Sequence, residues 1–231
     1  METLPGEVLE QVTHQLSYAD RMTLHLAQPQ MPYPMLEFAD KYLPCEWSEF
    51  SEQLRRTEST IGGSTALKFF SYATYEPGDV DIYGPISSFP SWQRFLERHG
   101  FIENKAQRAM IYYRLPNHVN KFEFHRGPLI VQYIYGRRAD DVDNTANRCT
   151  MSHNEAICPH YDHVEHNHTV FSVEDSRRIA KMIARGFRVD MKPQAPPSEA
   201  PSTTWKGWLL SIFSRAKKVQ EPSNERRILL T

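Results

Sequence analysis

The chain has 231 residues, 40% hydrophobic and 12% aromatic, enough for one principal domain of moderate size with a real core plus attachments. Its 27 Lys and Arg against 28 Asp and Glu give a formal net charge of -1, so neither a global basic excess for nucleic acid nor an acidic solvating tail is present. The three cysteines, Cys45, Cys149 and Cys158, are too few, and odd in number, for a disulfide framework.

Residues 1–12, METLPGEVLEQV, carry acids where a secretory leader needs basic residues, and no apolar run follows. No stretch approaches the roughly 20 apolar residues of a membrane span. The expected compartment is intracellular, cytoplasmic or nuclear. Residues 4–28 read as two short helices. Pro5 suits a first turn, and Val8, Leu9, Val12 and Leu16 form one apolar stripe. Ser17 and Asp20 fit a capping box for the second helix, with Met22, Leu24 and Leu26. MPYP at 31–34 breaks the pattern, and residues 35–56 read as further helix carrying Leu36, Phe38, Tyr42, Leu43, Trp47, Phe50 and Leu54.

From residue 61 the pattern alternates. A helix is predicted over 65–72, directly after Gly62-Gly63-Ser64, and a short strand over 80–83. Residues 88–99 form a helix with Phe89, Trp92, Phe95 and Leu96 on one face and Gly100 as the stop. Three β-type runs follow, 109–115, 121–125 and 129–135, the last two joined as a hairpin by Arg126-Gly127-Pro128. Residues 136–170 read as irregular and polar. A final helix has Ser172 and Asp175 as a capping box, Ile179, Met182 and Ile183 as its buried face and Gly186 as its C-cap. The fold class is α/β or α+β: a small mixed sheet flanked by helices, with an N-terminal helical module.

Asp79 and Asp81 lie two apart on the predicted strand, so both leave the same face. Paired carboxylates repel unless a cation joins them, and Mg²⁺ takes such ligands together with substrate phosphates. A Gly-Gly-Ser turn opening a helix supplies backbone N–H groups and a hydroxyl for phosphate. These are the parts of metal-dependent phosphoryl or nucleotidyl transfer; alternatively the acids are solvated strand ends and the glycines serve only a turn.

Gly63-Ser64, a helix, and then Asp79-Val80-Asp81-Ile82 resemble the motif of the polymerase-β-type nucleotidyltransferase superfamily. Residues 54–190 are similar to uncharacterised fungal proteins of this nucleotidyltransferase-like fold, through Gly63 to Phe70, Asp79 to Tyr83, His99-Gly100, Val131 to Ile134 and Ala184 to Phe187. The resemblance implies that Gly62, Gly63 and Ser64 hold a triphosphate, that Asp79 and Asp81 hold Mg²⁺, and that a third acid sits on a later strand. The run 129–135 offers only the neutral Gln132 there. Glu123 is the substitute, as third ligand or base, although Lys121 beside it can pair with it. Tyr75-Glu76-Pro77-Gly78 also lengthens the spacing between Gly-Ser and the first aspartate.

Leu4-Pro5-x-Glu7-Val8-Leu9 with Val12, Leu16-Ser17 and Asp20 resembles the start of an F-box. The resemblance implies docking on the Skp adaptor of a cullin ubiquitin ligase through Leu4, Pro5, Val8 and Leu9; otherwise these helices pack on the α/β domain.

Residues 149–168 hold Cys149, Cys158 and five histidines, but no spacing matches a zinc finger, and the stretch reads as a polar loop rather than a zinc site. Residues 192–204 are a Pro/Ser linker. In 205–219, Trp205, Trp208, Leu209, Ile212 and Phe213 make one apolar stripe among basic residues, suited to a membrane surface or a partner groove. The expected organisation is an F-box-like module at 1–34, a connecting segment at 35–60, the nucleotidyltransferase-like domain at 61–191, the linker at 192–204 and the amphipathic tail at 205–231. The expected function is an adaptor that uses a degenerate nucleotidyltransferase-like domain as its recognition surface. The alternative is an active Mg²⁺-dependent transferase moving a nucleotidyl group from an NTP.

Overall fold

In the computed structural model, residues 12–105, 120–139, 142, 144–172, 174–192 and 224–230 are described. The expected strand at 109–115, the F-box contact residues Leu4, Pro5, Val8 and Leu9, most of the linker and the stripe at 205–219 lie outside them.

Helix α1 (Tyr18–Ala27) begins as its sequence dictates. Ser17 Oγ accepts from the Asp20 amide at 3.2 Å and donates to the Asp20 carboxylate at 2.6 Å. It buries Tyr18, Ala19 and Met22 against α2 (Pro34–Tyr42) and the later helix α4 (Gly63–Phe70). The continuous helical stretch expected at 35–56 is in fact two helices, because the chain is extended at Leu43 and at Glu46. The second, α3 (Trp47–Thr57), buries Trp47, Phe50 and Leu54. Helix α5 (Phe89–Arg98) meets α3 through Phe50, whose ring lies 5.4 Å from Trp92 and 6.2 Å from Phe95. The Trp92 indole N–H donates to Thr57 Oγ1 at 2.9 Å and Ser59 Oγ at 3.0 Å.

The strands are β1 (Thr60–Gly62), β2 (Val80–Tyr83), β3 (Ile102–Glu103), β4 (Asn120–Arg126), β5 (Leu129–Tyr135), β6 (Thr150–Met151), β7 (Glu155–Cys158), β8 (His168–Phe171), β9 (Arg188–Met191) and β10 (Arg226–Leu229). Eight of them form one mixed sheet in the order β10-β7-β6-β1-β2-β5-β4-β3. The β2–β5 pair is parallel and its other pairings are antiparallel. Helix α4 covers the centre of this sheet with Leu67, Phe69 and Phe70 fully buried. Strands β8 and β9 form a separate parallel pair joined through α7 (Ser176–Ala184). This mixed architecture agrees with the α+β class read from the sequence.

Several local expectations are corrected. Residues 136–170 hold β6, β7, most of β8, a 3₁₀ turn (Ala146–Arg148) and helix α6 (Tyr161–Glu165). These strands of two to four residues are too short to show an alternating period. Asp175 itself caps α7, accepting from the amides of Arg177 and Arg178, each at 3.1 Å, in place of a Ser172–Asp175 box. On α7, Met182 is buried and Ile179 packs against the core, but Ile183 is exposed. Within the expected tail, residues 226–229 form the edge strand β10, pairing antiparallel with β7, with Ile228 and Leu230 buried.

Candidate functional site

Strand β1 runs straight into α4, and its antiparallel register sets Gly62 opposite Asp81. Gly63 adopts φ +62°. A Cβ there would stand 2.3 Å from Asp81 Oδ2, so the left-handed backbone and the close approach of a carboxylate both require glycine. Thr65 Oγ1 donates to the Asp79 carbonyl at 2.7 Å, fixing the entry of β2 against the first turn of α4. The inserted turn at 75–78 folds back rather than spreading the site. Tyr75 donates its hydroxyl to the Ser64 carbonyl at 3.0 Å, and the Arg185 guanidinium lies 4.7 Å from its ring centroid.

Gly63, Ser64, Asp79 and Asp81 thus line one cavity of about 520 Å³. Tyr83, Gln132, Asn144 and Asn147 share the wall, with five cationic side chains: Lys121, Arg137, Arg178, Lys181 and Arg185. Three of these, Arg178, Lys181 and Arg185, come from α7 and its C-cap. Their spacing of i, i+3 and i+7 is a helical stripe that was readable in the sequence beside the apolar one, and it was missed. Lys121 and Arg137 come from β4 and from the turn after β5, and no linear motif joins them.

Burial raises the Asp81 carboxyl to about 7, with repulsion from Asp79 as the next cause; Lys121, Lys181 and Arg178 pull the other way. A carboxyl that resists ionisation beside a second acid, facing a cavity rich in donors, suits a divalent cation carried in with a polyanion. Two buried polar atoms on the cavity wall, Ser64 Oγ and Asn147 Oδ1, have no hydrogen-bond partner among the described residues. Ser64 is only 5% exposed, and an unmet buried hydroxyl is costly unless a ligand satisfies it.

Glu123 stands apart from this cavity's lining. The registers place Asp81, Gln132 and Glu123 in one row across β2, β5 and β4, with Gln132 in the middle. The Glu123 carboxylate accepts from His125 at 2.8 Å, Gln132 at 3.1 Å, Asn104 at 3.3 Å and Lys121 at 3.4 Å. Burial opposes its ionisation, but the His125 hydrogen bond and the Lys121 charge prevail and its pKa is lowered. It is an occupied acceptor. Gly62 lies behind the wall: a Cβ there would meet the Tyr83 ring at 2.8 Å. A second cavity of about 460 Å³ shares Tyr83 and Arg137 with the first and adds Arg138, Arg148 and Arg227.

The His/Cys-rich stretch does not gather round an ion-sized point. Cys149 and Cys158 are fully buried, with their sulfurs 3.2 Å apart, while the rings of His160 and His163 stack at 5.6 Å and those of His163 and His168 tilt at 4.8 Å. No described helix is long and apolar enough to cross a membrane. Compared with family models, curated proteins and solved structures, the chain matches none.

Proposed function

We propose that the domain binds a nucleoside triphosphate together with Mg²⁺ in the cavity between α4, β2 and α7, as a recognition module of nucleotidyltransferase-like build. The observation that carries this reading is the convergence of Gly63, Ser64, Asp79 and Asp81 with five cationic side chains on one cavity. Asp79 and Asp81 would hold the cation, which supplies charge neutralisation to the phosphates when bound. Ser64 Oγ and Asn147 supply hydrogen bonds, and the cations of α7 face the phosphate charge across the cavity. Binding without efficient turnover is favoured because Gln132 fills the place in the row next to Asp81, and Glu123 is held by four donors. Among the described residues, no ionised carboxylate on this wall is left to take a proton from an acceptor hydroxyl beyond the two assigned to the cation. On this reading an adaptor role would rest on nucleotide-dependent recognition rather than on catalysis.

The test is thermal melting of the full chain with ATP, GTP, CTP or UTP, with and without Mg²⁺. A ligand at 100 times its dissociation constant stabilises by about 2.7 kcal/mol. At least one nucleotide should raise the melting temperature only when Mg²⁺ is present, and Asp79→Asn should abolish that rise. No Mg²⁺-dependent shift with any of them overturns the reading.

A further inference from the structure

A second cluster of chemically distinct donors lies between α3 and α5, away from the nucleotide cavity. Among the described residues, Cys45, Glu49 and His99 place one ligand atom each within 4.8 Å of one another. Glu49 and His99 are held by the packing of the helices that carry them, and Cys45 by its contact with the core. Cys45 is half-buried just before α3 and packs on the core, and Glu49 is in the first turn of α3. His99 is the C-cap of α5, its amide tied to the Phe95 and Leu96 carbonyls at 3.3 and 3.0 Å. Its ring sits 4.7 Å from Phe95, and its carbonyl accepts from Arg126 at 3.0 Å. The Phe50 contacts with Trp92 and Phe95 lock α3 to α5, so the distance between the ligands is set by a buried aromatic cluster.

We propose that Cys45, Glu49 and His99 form a binding site for a thiophilic divalent cation of the zinc class. Thiolate, imidazole and carboxylate are the donor types zinc takes in sites with three protein ligands, the fourth position being left to solvent. A sulfur and an imidazole together disfavour Mg²⁺ and Ca²⁺, which prefer all-oxygen shells. The Glu49 side chain is about half exposed, at 48%, which leaves an approach from solvent. Binding exchanges the Cys45 thiol proton for the metal and releases it to water, with no change of oxidation state. The His99–Glu49 contact at 3.1 Å is the pairing the metal would replace. Arg98, 3.6 Å from Glu49 and largely exposed, is the cation that the metal must displace. The site would clamp the start of α3 to the end of α5.

The experiment is equilibrium dialysis of the reduced full chain against Zn²⁺, followed by Co²⁺ substitution with absorbance read in the thiolate-to-cobalt charge-transfer region. The expected result is one tight zinc per chain and a charge-transfer band, both lost in Cys45→Ser. His99→Gln should weaken binding by more than the roughly 10–100-fold that loss of an outer-shell partner costs. Arg98→Ala should tighten it, since a competing charge is removed; a folding defect would not produce that gain. Excess Mg²⁺ should not displace the zinc. Unchanged stoichiometry and band in Cys45→Ser would assign the metal to the Cys149–His168 stretch and overturn the proposal, as would the absence of tight zinc. Neither result touches the nucleotide cavity, which shares no residue with this cluster.

Discussion

Replacing Asp81 by asparagine removes one charge from a half-buried pair at almost constant volume. Burial and Asp79 raise the folded carboxyl from its ordinary 3.8 to about 7. An acid raised in this way holds its proton more tightly when folded than when unfolded. Its contribution to stability is fully present below the unfolded value of 3.8 and is lost as the pH climbs through about 7. At about 1.4 kcal/mol per tenfold change in proton affinity, the whole span corresponds to about 4 kcal/mol. Part of it is mutual with Asp79 and relaxes with solvent, so on the order of 2–4 kcal/mol is expected. The asparagine side chain cannot ionise and escapes that cost. In metal-free buffer at pH 8 the Asp81→Asn variant should therefore melt about 4–16 °C above the parent, at 2–4 °C per kcal/mol for a chain of this size. The gap should close as the pH falls toward 4. Circular-dichroism melts in EDTA across that range read it directly. A variant no more stable than the parent at pH 8, or a gap that does not vary with pH, refutes the account of a strained acid pair. With Mg²⁺ and nucleotide added the order should reverse, because only the parent can ionise toward the cation.

Two further outcomes follow from the packing. Gly63→Ala forces a left-handed alanine, at about 1–2 kcal/mol, and pushes the Asp81 carboxylate aside. It should lower the melting temperature modestly and remove the nucleotide-dependent rise, and retention of that rise would show that the Gly63–Asp81 approach is incidental. Ending the chain at residue 223 removes β10, whose Ile228 and the following Leu230 are buried. At about 1.5–3 kcal/mol for each buried side chain, the loss is on the order of 3–6 kcal/mol, and the bare β7 edge should promote association, read by melting and size-exclusion chromatography. An unchanged melt would mean that the strand is only appended.

The sequence showed the site's acidic and glycine elements because they are local. Gly63 and Ser64 sit at a strand-to-helix turn, and Asp79 and Asp81 obey the two-residue period of a strand, so adjacency in the chain becomes adjacency in space. The cationic half was legible only in part: Arg178, Lys181 and Arg185 have helical spacing, but where that stripe packs does not follow from the spacing. Lys121 and Arg137 reach the cavity through sheet register and a turn, and α7 reaches it through tertiary packing after a stretch that shows no periodicity. Glu123 shows the limit of face-counting. Strand alternation places it on the side of Lys121 and His125, but only the pairing of β4 with β5 reveals Gln132 standing between it and Asp81. Strand β10 was hidden because its four residues put one arginine and one apolar side chain on each face, and its pairing partner lies some seventy positions upstream.

That strand also ties the two ends of the described chain together. Arg226 of β10 pairs with Asp20 of α1 at 2.8 Å and donates to Thr23 Oγ1 at 3.3 Å, while the Leu230 carbonyl accepts from the Tyr33 hydroxyl at 2.6 Å. A four-residue edge strand thus joins positions about two hundred residues apart, and its partner in the sheet is β7. Losing it would loosen α1 at the same time as it bares β7, so the N-terminal helix and the sheet edge share one fastening.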